Sequence, residues 1–326
     1  MKIGIVGCGA LGSYYGAKLG RDGHEVQFLL RSDYEIVRRN GVRILSREGD
    51  FHLNPKCARE PGEIGECDLV LVSLKTTAND QFAHLIPPLV GTGTIILTLQ
   101  NGLGNEAELA KRFGPEKIMG GLCFVCLNRV EPGRIQVIDS GSILLGEFER
   151  WPEPRTHDVA SIFRHAGVPC KVTDNLAKAH WEKLIWNIPF NGLGVAGTAG
   201  YEAVLAGRVL KGRSPTPSLT TKDLLSDENW ERLVRELMRE VLLAALALGF
   251  RIPDQSAEKQ IQRTRAMPAY KASTLIDFEQ GKALELNALF LEPLRQAREA
   301  GAGTPRLVAL CEILQELEAG REEAKD

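Results

Sequence analysis

Lys2-Ile-Gly-Ile-Val6, the loop Gly7-Cys8-Gly9-Ala10-Leu11-Gly12, a helical stretch to Leu19, the turn Arg21-Asp22-Gly23-His24 and a second apolar run Glu25 to Leu30, closed by Arg31, decide how this chain is built. The order is strand, glycine loop, helix, turn, strand. A G-x-G-x-x-G spacing opened by a strand and closed by a helix suits a dinucleotide pyrophosphate. Gly7 permits the tight turn, Gly9 lets the backbone approach the phosphates, and Gly12 lets helix and strand pack closely. Free N–H groups and the dipole at the helix start, over Cys8, Ala10 and Leu11, favour the negative charge. Arg31 selects the dinucleotide. A carboxylate at the end of the second strand would accept from a ribose 2′-hydroxyl, whereas an arginine fork suits a 2′-phosphate, so the expectation is NADP(H) over NAD(H).

With 326 residues the chain exceeds the size of about 250 at which single cores stop growing, which implies two domains. It is 44% hydrophobic and 25% charged, the balance of a soluble globular protein, and its net charge of −2 gives no electrostatic reason for nucleic-acid or membrane binding. The longest apolar run, Val241 to Phe250, is half the roughly 20 residues that cross a bilayer. The start reads as a core strand rather than a signal peptide, so a cytoplasmic protein is expected. Seven cysteines fit reduced thiols. Cys123 and Cys126 form a C-x-x-C without a second pair and lie in an apolar run that reads as a buried strand, so no metal site is expected. Cys8, at a helix start, is a small loop residue whose thiol pKa such a position can lower.

Further apolar runs, Asp68 to Leu74, Thr94 to Leu99 and Ile118 to Leu122, read as strands buried on both faces. Together they predict an α/β fold: a Rossmann-type doubly wound, mostly parallel sheet, followed by a second, all-helical domain. Arg134 to Ile138 and Ser142 to Leu145, separated by Asp139-Ser140-Gly141, read as an added edge hairpin, and Val168 to Val172 as a last strand. The boundary falls near Asp174, giving an NADP-binding domain over 1–174 and a helical substrate domain over 175–326. Helices are expected over Asn175 to Trp186, Asp227 to Leu248, Ser273 to Gln280 and Leu284 to Ala300, with a final one capped by Thr304. Lys211 to Lys222 reads as a mobile loop and the tail beyond Gly320 as frayed. The apolar helices suit either a domain core or a homodimer interface.

A small-molecule substrate is expected in the cleft outside the carboxyl ends of the strands. Lys75 and Asn101 follow two of those ends. Lys183 and Asn187 are four apart on one helix face. Ketone reduction builds charge on the carbonyl oxygen, which a lysine ammonium stabilises and then protonates, while an asparagine orients without adding charge. Spacing alone favours a solvated helix lysine at 183. Asn187, in an apolar Leu-Ile-Trp-Asn-Ile-Pro-Phe context, needs a partner or costs stability.

The motifs as a set resemble the ketopantoate reductases (2-dehydropantoate 2-reductases). They are Gly7–Gly12 with Arg31, Leu74-Lys75, Gln100-Asn101-Gly102, Pro132-Gly133-Arg134-Ile135, Trp181-Glu182-Lys183-Leu184 with Asn187 and Asn191, and Ser273 to Asp277 with Glu285. The similarity runs from Met1 to about Leu314. It implies NADPH-dependent reduction of 2-dehydropantoate to (R)-pantoate, towards pantothenate and coenzyme A. It also implies Lys183 as proton donor, Asn187, Asn191 and Ser273 as substrate holders, Asn101 beside both nicotinamide and substrate, and Lys75 and Glu285 as cofactor contacts. From the residues alone, Ser273 reads as a helix cap, Glu285 as a solvated glutamate and Asp277 as structural. One substrate-contacting asparagine of the family is replaced here, with Tyr201 at its place, which opens the identity of the keto acid. Two other readings stand beside the first: a reductase of another 2-keto acid or an opine-type dehydrogenase, and a non-catalytic NADP(H)-sensing module.

Overall fold

The computed structural model describes residues 1–210, 212 and 216–323. The chain divides into two compact units, Met1–Ala177 and Lys178–Asp326. The first unit holds ten strands: β1 (Lys2–Val6), β2 (Glu25–Leu29), β3 (Val42–Leu45), β4 (Phe51–Leu53), β5 (Lys56–Ala58), β6 (Cys67–Val72), β7 (Val90–Thr98), β8 (Ile118–Glu131), β9 (Arg134–Glu147) and β10 (Cys170–Val172). Its helices are α1 (Ala10–Arg21), α2 (Tyr34–Asn40), α3 (Pro61–Ile64), α4 (Phe82–Leu85), α5 (Asn105–Phe113) and α6 (Pro154–His165).

The sheet runs β4-β3-β9-β8-β7-β6-β1-β2-β5, with β10 beside β9. From β8 to β5 neighbouring strands are all parallel. Alternation along each strand feeds two cores: Ile3, Ile5, Leu69 and Leu71 join one, and Val6, Val70 and Val72 the other. The first core also takes Tyr14, Tyr15 and Leu19 of α1 and Val159 and Phe163 of α6; the second takes Phe82 of α4 and Leu109 of α5. The order reverses at β1, with β2 on one side and β6 on the other, which is the switch point where such sheets bind ligands.

β4 and β5 are consecutive in sequence, joined by Asn54-Pro55, yet they are the two ends of the strand order. Three peptide steps span at most about 11 Å. The sheet therefore curls until its edges nearly meet, with α1 in the concavity. Close approach there is bought with glycine: a Cβ on Gly16 would lie 2.6 Å from the Phe28 ring, and one on Gly20 2.6 Å from Leu53.

The expected edge hairpin is corrected. Arg134 to Leu145 is one strand, β9, and its partner is β8, antiparallel, through a turn at Pro132-Gly133. Asp139-Ser140-Gly141 is a bulge in that ladder, where the register shifts opposite Phe124 to Leu127. A Cβ on Gly141 would fall 1.6 Å from the Phe124 carbonyl oxygen, so this glycine answers strand proximity rather than chain reversal. β3, β4 and β5 went unread because runs of three or four residues carry too little periodicity. Cys123 and Cys126 lie in β8, the first buried and the second half-buried, and neither is in a disulfide.

The second unit is helical: α7 (Leu176–Ala196, beginning two residues ahead of it), α8 (Tyr201–Ala206), α9 (Thr221–Ser226), α10 (Glu228–Ala247), α11 (Gln255–Arg265), α12 (Ser273–Glu279), α13 (Glu292–Glu299) and α14 (Pro305–Glu323). A π-turn, Asn287–Leu291, leads into α13. Of the expected loop Lys211–Lys222, residues 211 and 213–215 lie outside the described residues; Thr221 and Lys222 already belong to α9. The tail continues as helix to Glu323, and 324–326 lie outside the description. No described helix is long and apolar enough to cross a membrane.

The start of α14 is capped from another helix, not by the Thr304 side chain. The N–H groups of Arg306 and Leu307 each donate to the Glu240 carboxylate of α10 at 2.8 Å. Burial pushes the Glu240 carboxyl up, against the lowering effect of those two donors. A folded value above the unfolded one means that the site contributes stability below the unfolded value and loses it as pH rises through the folded one. Wild type should therefore lose stability relative to Glu240→Gln as pH rises out of the ordinary glutamate range, read by urea unfolding; parallel curves for the two proteins would contradict this. Glu240→Ala, which orphans both N–H groups, should cost about 1–3 kcal/mol.

Candidate active site

In the first unit the site begins where β1 ends. Gly7, at φ 101°, is packed so closely that a Cβ would lie 2.4 Å from the Leu74 backbone nitrogen. Ser73, at the end of β6, donates from its N–H to the Val6 carbonyl and from Oγ to the Gly7 carbonyl, both at 2.8 Å. A Cβ on Gly12 would meet the Gly7 carbonyl oxygen at 2.3 Å. A Cβ on Gly9 would meet nothing within 4 Å. Gly9 is also the N-cap of α1, without a side-chain cap, so the first N–H groups face open space. The loop over Cys8, Ala10 and Leu11 is thus tight where it touches protein and open where a pyrophosphate would lie, and these residues fit a dinucleotide.

Cys8 is a small loop residue whose thiol the helix start does not activate. Its thiol bonds the Leu29 carbonyl at 3.4 Å, and burial, with Cys57 and Asp33 nearby, pushes it up rather than down. It stays a neutral thiol. Arg31 is exposed one residue past Leu30, whose N–H donates to the Ala58 carbonyl. A carboxylate does stand two residues on, but Asp33 is buried and held by Arg129 Nη2 at 2.6 Å and Ser32 Oγ at 3.0 Å. Arg31 remains the exposed charged group at this strand end.

Lys75 and Asn101 each stand three residues beyond the paired strand ends Val72 and Thr98. Lys75 is exposed and opens a 3-10 turn, Thr76–Gln81. An amide network joins that turn to the segment carrying Asn101. Thr98 Oγ1 donates to Gln100 Oε1 (3.0 Å), and Gln100 Nε2 to Asn79 Oδ1 (2.8 Å). Asn79 Nδ2 donates to Asn105 Oδ1 (3.0 Å), and Asn105 Nδ2 to the Asn101 carbonyl (3.1 Å). Sequence reasoning missed Asn79, Gln100 and Asn105 as positioning residues. The available signal was the density of amides in two loops at one sheet edge.

In the second unit, Lys183, Asn187 and Asn191 follow one another at four-residue intervals on α7. Lys183 is half-buried, while Asn187 and Asn191 are 7% and 3% exposed. Asn191 Oδ1 accepts from Ser273 Oγ at 3.3 Å and from the Thr274 N–H at 3.1 Å, so α12 is tied to this row. Ser273 is the first residue of α12 after Ala272 as N-cap, not the cap itself. Asn187 is largely buried, but its amide is not an orphaned group: among the described residues the buried side-chain polar atom without a partner is the Tyr15 hydroxyl. Pro189 lies between the two asparagines and removes one intrahelical donor, that to the Ile185 carbonyl. Glu285 is 5% exposed, not solvated, and its carbonyl accepts from Leu289 just ahead of the π-turn; Asp277 is buried as well. Tyr201 opens α8, accepts from Arg232 at 3.4 Å and packs edge-on against Trp230, with ring centroids 5.1 Å apart.

A glycine loop at the switch point of a parallel sheet, with a lysine–asparagine helix in a following helical unit, defines a nicotinamide-dependent oxidoreductase. The profile for "Ketopantoate reductase PanE/ApbA" matches residues 3–150 and that for its C-terminal part residues 217–318. A 2-dehydropantoate 2-reductase of Nostoc sp. is 38% identical over 97% of this chain and 95% of its own. A crystal structure of 2-dehydropantoate 2-reductase from Geobacter metallireducens superposes at a TM-score of 0.88, is 45% identical, and covers 97% of this chain and 99% of that one. One from Methylococcus capsulatus gives 0.84 at 32% identity, with 98% of both chains covered. The chain belongs to the ketopantoate reductase family.

The two ends of the glycine loop should respond differently to the same substitution. Gly9→Ala should leave stability within about 0.5 kcal/mol of wild type yet weaken NADPH binding at least tenfold. Gly12→Ala should unfold at markedly lower urea concentration. Fluorescence titration with NADPH and urea melts check both.

Proposed function

We infer that this chain reduces 2-dehydropantoate to (R)-pantoate with NADPH, and that its two units divide the work. Family membership supports the reaction and does not favour the opine-type or sensor readings. NADPH, when bound, supplies the hydride. Gly7 to Gly12 hold the pyrophosphate at the start of α1, Arg31 takes the 2′-phosphate, and Lys75 and Glu285 add cofactor contacts. Asn101, fixed through the Asn79–Gln100–Asn105 network, positions the nicotinamide end.

The keto acid is held by Asn187, Asn191 and Ser273. Lys183 keeps a proton on Nζ one helical turn from Asn187. Its ammonium stabilises the charge that builds on the carbonyl oxygen and then gives up that proton. Asn191 is already oriented by Ser273 and Thr274. The observation that carries this reading is the row on α7: Lys183, Asn187 and Asn191 at four-residue steps, with Asn191 oriented from α12.

NADPH oxidation followed by absorbance with ketopantoate tests the reaction, with NADH in parallel. Efficient turnover with NADPH preferred is the expected result; cofactor binding without turnover of any 2-keto acid would refute it. Lys183→Ala should lower kcat by about 10²- to 10⁴-fold without changing NADPH affinity. Arg31→Ala should raise the KM for NADPH about 10- to 100-fold and leave that for NADH unchanged.

A further inference from the structure

The helix that carries Lys183, Asn187 and Asn191 continues as Gly192-Leu193-Gly194-Val195-Ala196 into a 3-10 turn, Gly197–Ala199. At about 100° per residue, Gly194 and Gly197 return to within about 40° of the direction of Lys183. A second segment of chain lies on that face. The Leu219 N–H donates to the Gly194 carbonyl at 3.2 Å, the Thr216 N–H to the Thr198 carbonyl at 2.9 Å, and Thr216 Oγ1 to the Gly197 carbonyl at 2.6 Å. A Cβ on Gly194 would stand 3.0 Å from the Leu219 carbonyl oxygen, and one on Gly197 2.5 Å from Leu219 Cδ1. The two glycines thus give Leu219 its seat, backbone over one and side chain over the other. Beyond it lies a cavity of about 390 Å³ walled by Leu219, Tyr201, Trp230, Pro217 and Asp223.

We propose that Leu219 is a specificity-determining residue: it closes the far end of the Lys183–Asn187–Asn191 row and limits the length of the 2-keto acid side chain accepted there. The inference rests on the substrate-holding role given to that row. Polar groups at the near end take the carboxylate and carbonyl, which all 2-keto acids share. What differs among those acids is the apolar remainder; beyond Asn191 the row meets Leu275 beside Gly194 and Leu219 over Gly194 and Gly197, and of these Leu219 also lines the cavity. Shortening it opens the row towards the cavity, where Tyr201 and Trp230 offer aromatic walls. Lengthening it shortens the row.

The test compares kcat/KM for ketopantoate with that for a 2-keto acid bearing a benzyl side chain, in wild type, Leu219→Ala and Leu219→Phe. Leu219→Ala should shift the ratio towards the benzyl acid about 10- to 100-fold, the scale of a few methylenes in an apolar pocket. Leu219→Phe should shift it the other way. The folded fraction cancels in the ratio of the two kcat/KM values, so a loss of folded protein alone would leave that ratio unchanged. If Leu219→Ala does not fold, Leu219→Phe decides, because its expected shift has the opposite sign. Ratios unchanged within twofold in the folded variants would overturn the proposal. Wild type that reduces neither acid would instead overturn the functional reading, and this inference with it.

Discussion

The approach of Gly7 to Ser73 and Leu74 is the contact on which the first unit depends. It pins the first strand's carboxyl end to that of its neighbour β6, through a backbone bond from Ser73 to Val6 and a hydroxyl bond to Gly7. No side chain fits between them, since a Cβ on Gly7 would lie 2.4 Å from the Leu74 nitrogen and 2.5 Å from the Ser73 carbonyl carbon. The turn that results aims α1 back across the sheet with its first N–H groups uncapped. The same packing that makes the switch point compact thus leaves a helix start suited to an anion, without any charged side chain in the loop. Arg31 and Lys75 are exposed just beyond the strand ends.

The second unit solves a different problem with similar means. A single 21-residue helix, α7, is apolar enough to be a core element and carries a polar row along one line. It does both by confining its amides to four-residue steps and by placing glycines where other chain segments cross. Gly192 admits Leu310 and Phe290, and Gly194 and Gly197 admit Leu219. Asn191 is oriented from α12, so two elements distant in sequence set one amide.

How much of this the sequence disclosed follows from how local each signal is. The strand–loop–helix–strand opening is read within 31 residues; the structure shows the close packing at Gly7 and Gly12, and leaves Gly9 open. Lys183, Asn187 and Asn191 are legible as a face because helical spacing is local. The network from Thr98 to Asn105 was not legible, because an amide's partner depends on which loops the sheet brings together. The bulge at Asp139-Ser140-Gly141 was read as a turn for a related reason. A glycine required by a neighbouring strand has the same letter as one required by chain reversal. Ser273 and Glu285 were singled out only through family resemblance; Ser273 is half-buried at the start of α12, and Glu285 is buried just ahead of the π-turn.

The curled sheet has a consequence for the chain's behaviour in a crowded solution. A nine-strand ladder with open ends would offer two rows of unpaired backbone groups to any passing strand, the usual seed of aggregation. Here the end strands, β4 and β5, are three residues each and are tethered to one another through Asn54-Pro55. A proline at that junction removes a donor where a visiting strand would look for one. The curl that makes room for α1 thus also withdraws the sheet's margins, so that colloidal stability and cofactor geometry come from a single bend in the same layer.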